Sequence, residues 1–301
     1  MLGGPPTNSA ISSKEEEVRN YYDSFWSNKT HTNQFYLSDG FHLGFFEKGI
    51  IKLEVAIRNM NDFIGRLLCL RSDLPQKIFD AGCGVGATSR YLSKKFPQNY
   101  FTGISLTPNE IKLAKKIQKE QNIINAEFLV GNYTDIKFPD NSFDKAFALE
   151  SVSYAVSKKD VVSEISRVLK PGGKLAIIDG FLTKDLPLNS FMQHAYIVDL
   201  KKRALPGYAS LQEMRMYLES AGFIDITVRN LTKNIIFNYL FTGFFYSLFP
   251  LLFSEMKRLI FWRKEKTDVA AEKIMKGADF VELLLGTTRK TGYYAITATK
   301  K

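Results

Sequence analysis

The chain reads as an α/β protein, a mostly parallel sheet with helices on both faces. Three observations carry that reading. Strand-length apolar runs alternate with helical patterns between Lys77 and Ile178. A glycine-rich turn, Gly82-Cys83-Gly84-Val85-Gly86, follows the first run and leads into a helical pattern. Turn punctuation falls between the runs, at Thr107-Pro108, Pro139-Asp140 and Lys170-Pro171-Gly172-Gly173.

Met1 to Ser13 is small, polar and Gly/Pro-bearing, and reads as a flexible tail with no apolar core of a secretory signal. Residues 14–70 form an N-terminal helical cap: an amphipathic helix over Glu15–Trp26, a turn-bearing segment at Phe41–Phe46, and a helix over Leu53–Leu70. The core, 71–185, has strands at Lys77–Asp80, Tyr100–Ser105, Ala126–Val130, Phe143–Leu149 and Lys174–Ile178. Helices lie between them at Thr88–Lys95, Asn109–Gln121 and Lys159–Val168. In 186–301 the pattern loosens. Helices are read at Phe191–Arg203 and Ser210–Ser220, the latter ended by Ala221-Gly222, and strands at Phe223–Val228 and Gly292–Thr299. That makes seven strands, with a helical substrate lid over about 186–222 and 233–290 inserted near the C-terminus.

At 301 residues, with 45% hydrophobic and 24% charged residues, the chain is long and apolar enough for a core that excludes water from a buried site. Cys69 and Cys83 cannot build a disulfide framework or a cysteine-rich zinc site, and a reduced, cytoplasmic compartment is the default. His31 and His194 have no companions at ligand spacing, so no metal is expected. The net charge of +10 is spread along the chain without an aromatic-interleaved basic motif. It is read as a lysine-rich surface rather than a nucleic-acid footprint.

In Asp80-Ala81-Gly82-Cys83-Gly84-Val85-Gly86, glycine permits backbone to approach a ligand at a helix N-terminus, and Asp80 can accept from a cationic or amine-bearing group. The spacing is not the G-x-G-x-x-G of dinucleotide binders, because Ser89 stands where the third glycine would fall. It resembles motif I of the class I S-adenosylmethionine (SAM) dependent methyltransferases. The resemblance implies a Rossmann-like fold, SAM as methyl donor, and the amino-acid end of SAM against Asp80, Gly82 and Gly84. After the second strand, Gly103-Ile104-Ser105-Leu106-Thr107-Pro108 offers hydroxyls where an acid is usual. This is similar to tocopherol, sterol and prenyl-diphosphate C-methyltransferases, and implies that Ser105 and Leu106 border the ribose and adenine. After the third strand, Asn132 stands where the family has an acid and could read the adenine edge through its amide, beside Tyr133.

After the fourth strand comes Glu150-Ser151-Val152-Ser153-Tyr154. In the resembling families this position faces cofactor and substrate. Glu150 is the first catalytic candidate, since a carboxylate stabilises a cation formed by methyl addition to an alkene and removes a proton. It equally suits a helix cap or a contact to the methionine end of SAM. Tyr154 offers a π-face or a hydroxyl. Arg167 to Gly173 is similar to the family's turn into the fifth strand. Tyr21-Tyr22-Asp23 and His42-Leu43-Gly44-Phe45-Phe46 resemble elements that close over cofactor and substrate. That makes Tyr21 and Tyr22 lid candidates, with Tyr22 against the cofactor, and His42 a lid and catalytic candidate; a packed helix face and a turn histidine are the plainer readings.

Asn234 to Ser254 is a charge-free run of 21 residues. Its place between two strands of one sheet, and its interruption by Asn238, Thr242, Gly243, Ser247 and Pro250, argue against a membrane span. A lid over an apolar pocket is preferred. A peripheral membrane contact through 234–264, helped by Lys257, Arg258, Arg263 and Lys264, stays open, as does a homo-oligomer. The expected activity is methyl transfer to a lipophilic small molecule, to carbon of an isoprenoid, sterol-like, polyketide or prenylated alkaloid acceptor. Lys201, Lys202 and Arg203 could receive a diphosphate or be surface charges. Transfer to nitrogen or oxygen of a small natural product or quinone is the alternative, and a nicotinamide-dependent oxidoreductase a distant one.

Overall fold

A computed structural model of the chain describes residues 12–27, 40, 42–183, 196–197, 200–201, 203–243 and 291–301. Its centre is one seven-stranded sheet in the order β3-β2-β1-β4-β5-β7-β6. The strands are β1 (Lys77–Ala81), β2 (Tyr100–Ser105), β3 (Ala126–Val130), β4 (Phe143–Leu149), β5 (Leu169–Leu182), β6 (Phe223–Asn230) and β7 (Thr291–Lys300). β1 to β5 pair in parallel, and β7 runs antiparallel to both β5 and β6. The central parallel strands are apolar on both faces, because helices cover both. Ile78 belongs to one apolar layer with Phe101, Phe147 and Tyr293. Phe79, its neighbour, belongs to the other with Val161, Ile165 and Tyr294, as the two-residue repeat of a strand requires.

The helices on the first face are α2 (Leu53–Leu67), α3 (Ala87–Lys95), α4 (Pro108–Glu120) and α7 (Thr232–Gly243); on the second face lie α5 (Lys158–Val168) and α6 (Leu211–Ser220). Their starts follow local chemistry. α4 opens on Pro108, which suits the first helical position. Ser157 accepts from the Asp160 N–H at the start of α5, and Ser210 with Glu213 forms a capping box on α6. The amphipathic N-terminal helix is α1 (Ser13–Ser27). Ser13, expected in the tail, opens that helix, because Ser12 and Glu15 make reciprocal bonds: Ser12 N–H to the Glu15 carboxylate at 2.8 Å, and Glu15 N–H to Ser12 Oγ at 3.3 Å.

Two strands run longer than their apolar patterns. β5 begins at Leu169 because Phe143 pairs with Leu169, and the Pro171-Gly172-Gly173 turn forms the register shift before Lys145 meets Lys174. It ends at Leu182 because β7 pairs with it as far as Thr291. β6, an edge strand, carries a register shift between Ile224 and Thr227, and Asp225 there has φ +52°. Of the helix read over 191–203, only 196–197, 200–201 and 203 are described; the first two pairs are helical. Of the charge-free run, 234–243 belongs to α7 and 244–254 lies outside the described residues. Among the described residues, no helix is long and apolar enough to cross a membrane.

The order of β1 and β4 places the carboxyl end of each beside the other, with crossovers departing to opposite sides. That is the switch point where open α/β sheets bind ligands. Gly86 joins β1 to α3 with φ +72°, and a Cβ there would lie 2.4 Å from the Phe128 ring. Gly86→Ala is expected to lose about 2–4 kcal/mol of stability through backbone strain and the clash, measured as a lower urea midpoint at unchanged slope.

Candidate active site

A cavity of about 770 Å³ lies over the carboxyl ends of β1, β2, β4 and β5, beneath α1. Every site residue expected from the sequence lines it: Tyr22, His42, Asp80, Gly82, Gly84, Ser105, Leu106, Asn132, Tyr133, Glu150 and Tyr154. Their surroundings separate them into different kinds of group.

At the β1 end, Asp80 is buried and accepts from Ser89 Oγ at 2.6 Å. Burial pushes its carboxyl up to about 7. Gly84 follows with φ +51°, and a Cβ built on it would meet nothing nearer than Glu110 Oε1 at 3.7 Å. The room beside that bare backbone belongs to the cavity, which is the approach a ligand at this turn needs. Cys83 N–H donates to the Ile104 carbonyl at 2.8 Å and fixes the turn on β2.

At the β2 end, Ser105 Oγ donates to Glu110 at 2.5 Å, and Trp26 Nε1–H donates to the same carboxyl at 2.9 Å. Glu110 is buried, and burial pushes its carboxyl up to about 7. The acid that the pattern lacks directly after β2 is supplied from the first turn of α4 by Glu110. Its signal was position: an acid in the first turn of α4 sits over the end of the strand that feeds the helix. At the β3 end, Asn132 Oδ1 accepts from Thr134 N–H at 3.0 Å and Thr134 Oγ1 at 2.8 Å, and its Nδ2 donates to Glu15 at 2.8 Å. The amide expected to read adenine therefore tethers α1 to this loop. Tyr133 donates its hydroxyl to the Ser151 carbonyl at 2.9 Å, and Ser151 Oγ donates to the Ala81 carbonyl at 2.5 Å.

Glu150 directly follows β4 with φ +50°. Its Oε1 accepts from Leu43 N–H at 2.8 Å and from the Tyr293 hydroxyl at 2.5 Å. Tyr154 packs edge-on against Tyr22 at 5.3 Å, and burial holds both phenols above their ordinary range. At the β5 end, Asp179 accepts from Ser153 N–H at 2.9 Å and Gly180 N–H at 2.7 Å; burial pushes it up to about 6. Glu110, Asp179 and Tyr293 are among the cavity residues that sequence reading missed. Arg203 lines the cavity, whereas Lys201 is exposed and Lys202 lies outside the described residues.

Residues 42–46 form an extended strap beside the cavity. His42 Nδ1 lies 3.0 Å from the Leu43 carbonyl and Nε2 3.0 Å from Asn61 Oδ1. Burial lowers its pKa, against the smaller raising effect of the Leu43 and Asn61 contacts. Gly44 exchanges two bonds with the Asn238 side chain, at 2.9 and 3.0 Å, and Phe46 exchanges two with Asn234, at 2.8 and 3.0 Å. Asn238, which interrupts the charge-free run, thus docks α7 on the strap together with Asn234. Among the described residues, no group of three or more His, Cys, Asp or Glu stands ready for a metal.

Residues 79–177 match the sequence model of a methyltransferase domain. The chain is 29% identical over 216 residues to a 2-methyl-6-phytyl-1,4-hydroquinone methyltransferase of Synechocystis sp., covering 70% of this chain and 66% of the relative. It is 33% identical over 176 residues to an O-methyltransferase of Aspergillus nomiae, covering 57% of this chain and 74% of the relative. A solved structure of geranyl diphosphate C-methyltransferase from Streptomyces coelicolor A3(2) shares the fold, with a TM-score of 0.72 at 15% identity over 97% of this chain and 100% of that one. The chain spans 32–66% of the length of the quinone and sterol methyltransferases it matches. It belongs to the class I SAM-dependent methyltransferases.

Glu110 gives a pH prediction. Its native pKa of about 7 exceeds the ordinary 4.5, so between these values the folded chain binds more protons than the unfolded one. Its contribution to stability is therefore present at low pH and lost as pH rises through about 7. Glu110→Gln is expected to flatten the fall in unfolding free energy of the ligand-free protein between pH 5 and 8. Urea titrations across that range measure the slope.

Proposed function

We propose that this protein transfers the methyl group of SAM to a lipophilic small molecule, to carbon of an isoprenoid, sterol-like, polyketide or prenylated alkaloid acceptor. The observation that carries the reading is the cavity itself. It has an open glycine backbone and buried acids at one end, and a carboxylate among tyrosines at the other. The residues present fit SAM. Asp80 and the Gly82–Gly84 turn suit its amino-acid end, and Ser105 with Glu110 supplies an acceptor for the ribose hydroxyls. Leu106 and Tyr133 offer apolar walls for the adenine. Asn132 holds α1 through Glu15, and the second hydrogen of its Nδ2 can still read the adenine edge.

SAM, when bound, supplies an electrophilic methyl on a sulfonium. The protein's own share is to align an acceptor with that methyl, exclude water, and handle the charge that appears on the acceptor. Tyr21, Tyr22 and Phe25 of α1 roof the cavity, and the strap with His42 closes its side. As the methyl leaves sulfur and bonds to the acceptor carbon, Glu150 stabilises the cation that forms and takes the proton the cation then loses, and Tyr154 lends a π-face beside it. The described part of the charge-free run, within α7, holds the strap through Asn234 and Asn238, and the rest of the run read as the acceptor's lid, 244–254, lies outside the described residues.

A second reading, transfer to oxygen, is favoured by one observation. Asp179 lines the cavity with a carboxyl at about 6, where it can take a hydroxyl proton near neutral pH.

The test is methyl transfer from isotope-labelled SAM into an extract of the source organism, followed by phase partition. Label in the organic phase supports the lipophilic acceptor, and the product's methyl resonance tells C–CH3 from O–CH3. Label confined to the aqueous fraction overturns the acceptor reading. Two variants dissect the site. Gly84→Ala should weaken binding of the product S-adenosylhomocysteine by roughly tenfold or more, through strain and lost approach. Glu150→Gln should lower the transfer rate by about 10²-fold. Unchanged S-adenosylhomocysteine affinity in Glu150→Gln places the carboxylate on the acceptor side, and lost affinity places it on the methionine end of SAM.

A further inference from the structure

Tyr293 has a hydroxyl that strand packing does not need. Its ring belongs to an apolar layer with Phe147, Ile178 and Ile235, which a phenylalanine ring would fill equally well. Its backbone is held independently of the ring. The Tyr293 N–H donates to Thr232 Oγ1 at 3.0 Å, and its carbonyl accepts from Leu231 N–H at 2.8 Å. Pairing with Gly180 on β5 sets its height along the sheet. From that fixed position the hydroxyl donates to Glu150 Oε1 at 2.5 Å, the range of a charge-assisted O–H···O⁻ bond. The Leu43 N–H reaches the same oxygen from the strap at 2.8 Å.

Both donors favour the ionised carboxylate, and together they fix its rotamer at the cavity wall. We propose that Tyr293 is a positioning residue for methyl transfer, its hydroxyl holding Glu150 ionised and in place. The inference rests on the reading of Glu150 as the group that handles charge on the acceptor. Other titratable groups around that carboxylate lie on separate elements: His42 on the strap, Tyr154 after β4, Asp179 on β5, and Arg203, all lining the same cavity. A variant confined to the Tyr293 hydroxyl leaves all four in place.

The sign follows from the donor's removal. Without the hydroxyl, protonation of Glu150 becomes easier, so activity on the acid side should be lost at a higher pH. The test compares wild type with Tyr293→Phe, both labelled with 13C at the glutamate carboxyl carbon; the resonance missing in Glu150→Gln identifies Glu150. Its titration midpoint is expected to rise by about one pH unit in Tyr293→Phe. With extract as acceptor source, the labelled transfer rate should fall more at pH 6 than at pH 8, by at most the tenfold that a shift of about one unit allows, at a KM for SAM within about twofold. Tyr293→His, which keeps a donor, should recover part of the rate. In a Glu150→Gln background, Tyr293→Phe should cost nothing further.

An unmoved midpoint, or a rate loss equal at pH 6 and pH 8, overturns the inference. If wild type transfers no methyl group while the midpoint still moves, the methyl-transfer reading falls and the Tyr293–Glu150 coupling stands. If Tyr293→Phe loses the fold by circular dichroism while Tyr293→His keeps it at an unmoved midpoint, the hydroxyl is structural and the inference falls.

Discussion

Four carboxyl groups stand at the carboxyl ends of four neighbouring strands, and the surrounding architecture is arranged around satisfying them. They are Asp80 after β1, Glu110 beyond β2, Glu150 after β4 and Asp179 on β5, and all line one cavity. Parallel strands point these ends the same way, so the acids gather where water is scarce. A buried carboxyl without donors would cost several kcal/mol. Each finds its donors in a different place: Ser89 on α3, Ser105 and Trp26, Leu43 and Tyr293, and the N–H groups of Ser153 and Gly180.

Those donors explain why the N-terminal segment closes over the sheet. α1 is anchored at one end by Trp26 to Glu110 and at the other by Glu15 to Asn132. The strap is anchored by Leu43 to Glu150, and α7 is tied to the strap through Asn234 and Asn238. The strap thus links the cavity wall at Glu150 to α7 through a few polar contacts. A cluster of acids in low dielectric also selects its ligand. A cation gains there what an anion loses, which suits the sulfonium of SAM.

The sheet was legible because its signals are local. Strand-length apolar runs, a glycine turn and Pro-bearing helix starts each depend on residues a few positions apart, and the backbone responds to them whatever surrounds it. Asp80, Gly84 and Ser105 could be placed for the same reason: each follows a strand whose end is visible in the pattern. Glu150 was found by its position after β4, but its partners were not. Asn132 was assigned by analogy with an acid, and only the folded chain shows its amide engaged by Thr134 and Glu15.

Sequence alone therefore determined the order of strands and helices and the edge of the sheet where ligands bind, since periodicity and turn chemistry act over short range. Tertiary structure decided what each functional group is bonded to. Trp26 meets Glu110 across 84 residues, Leu43 meets Glu150 across 107, and Tyr293 meets Glu150 across 143. No local pattern encodes such pairs. They exist because burial makes an unpaired carboxyl too costly, and the nearest donor in space is then chosen by packing rather than by position in the chain.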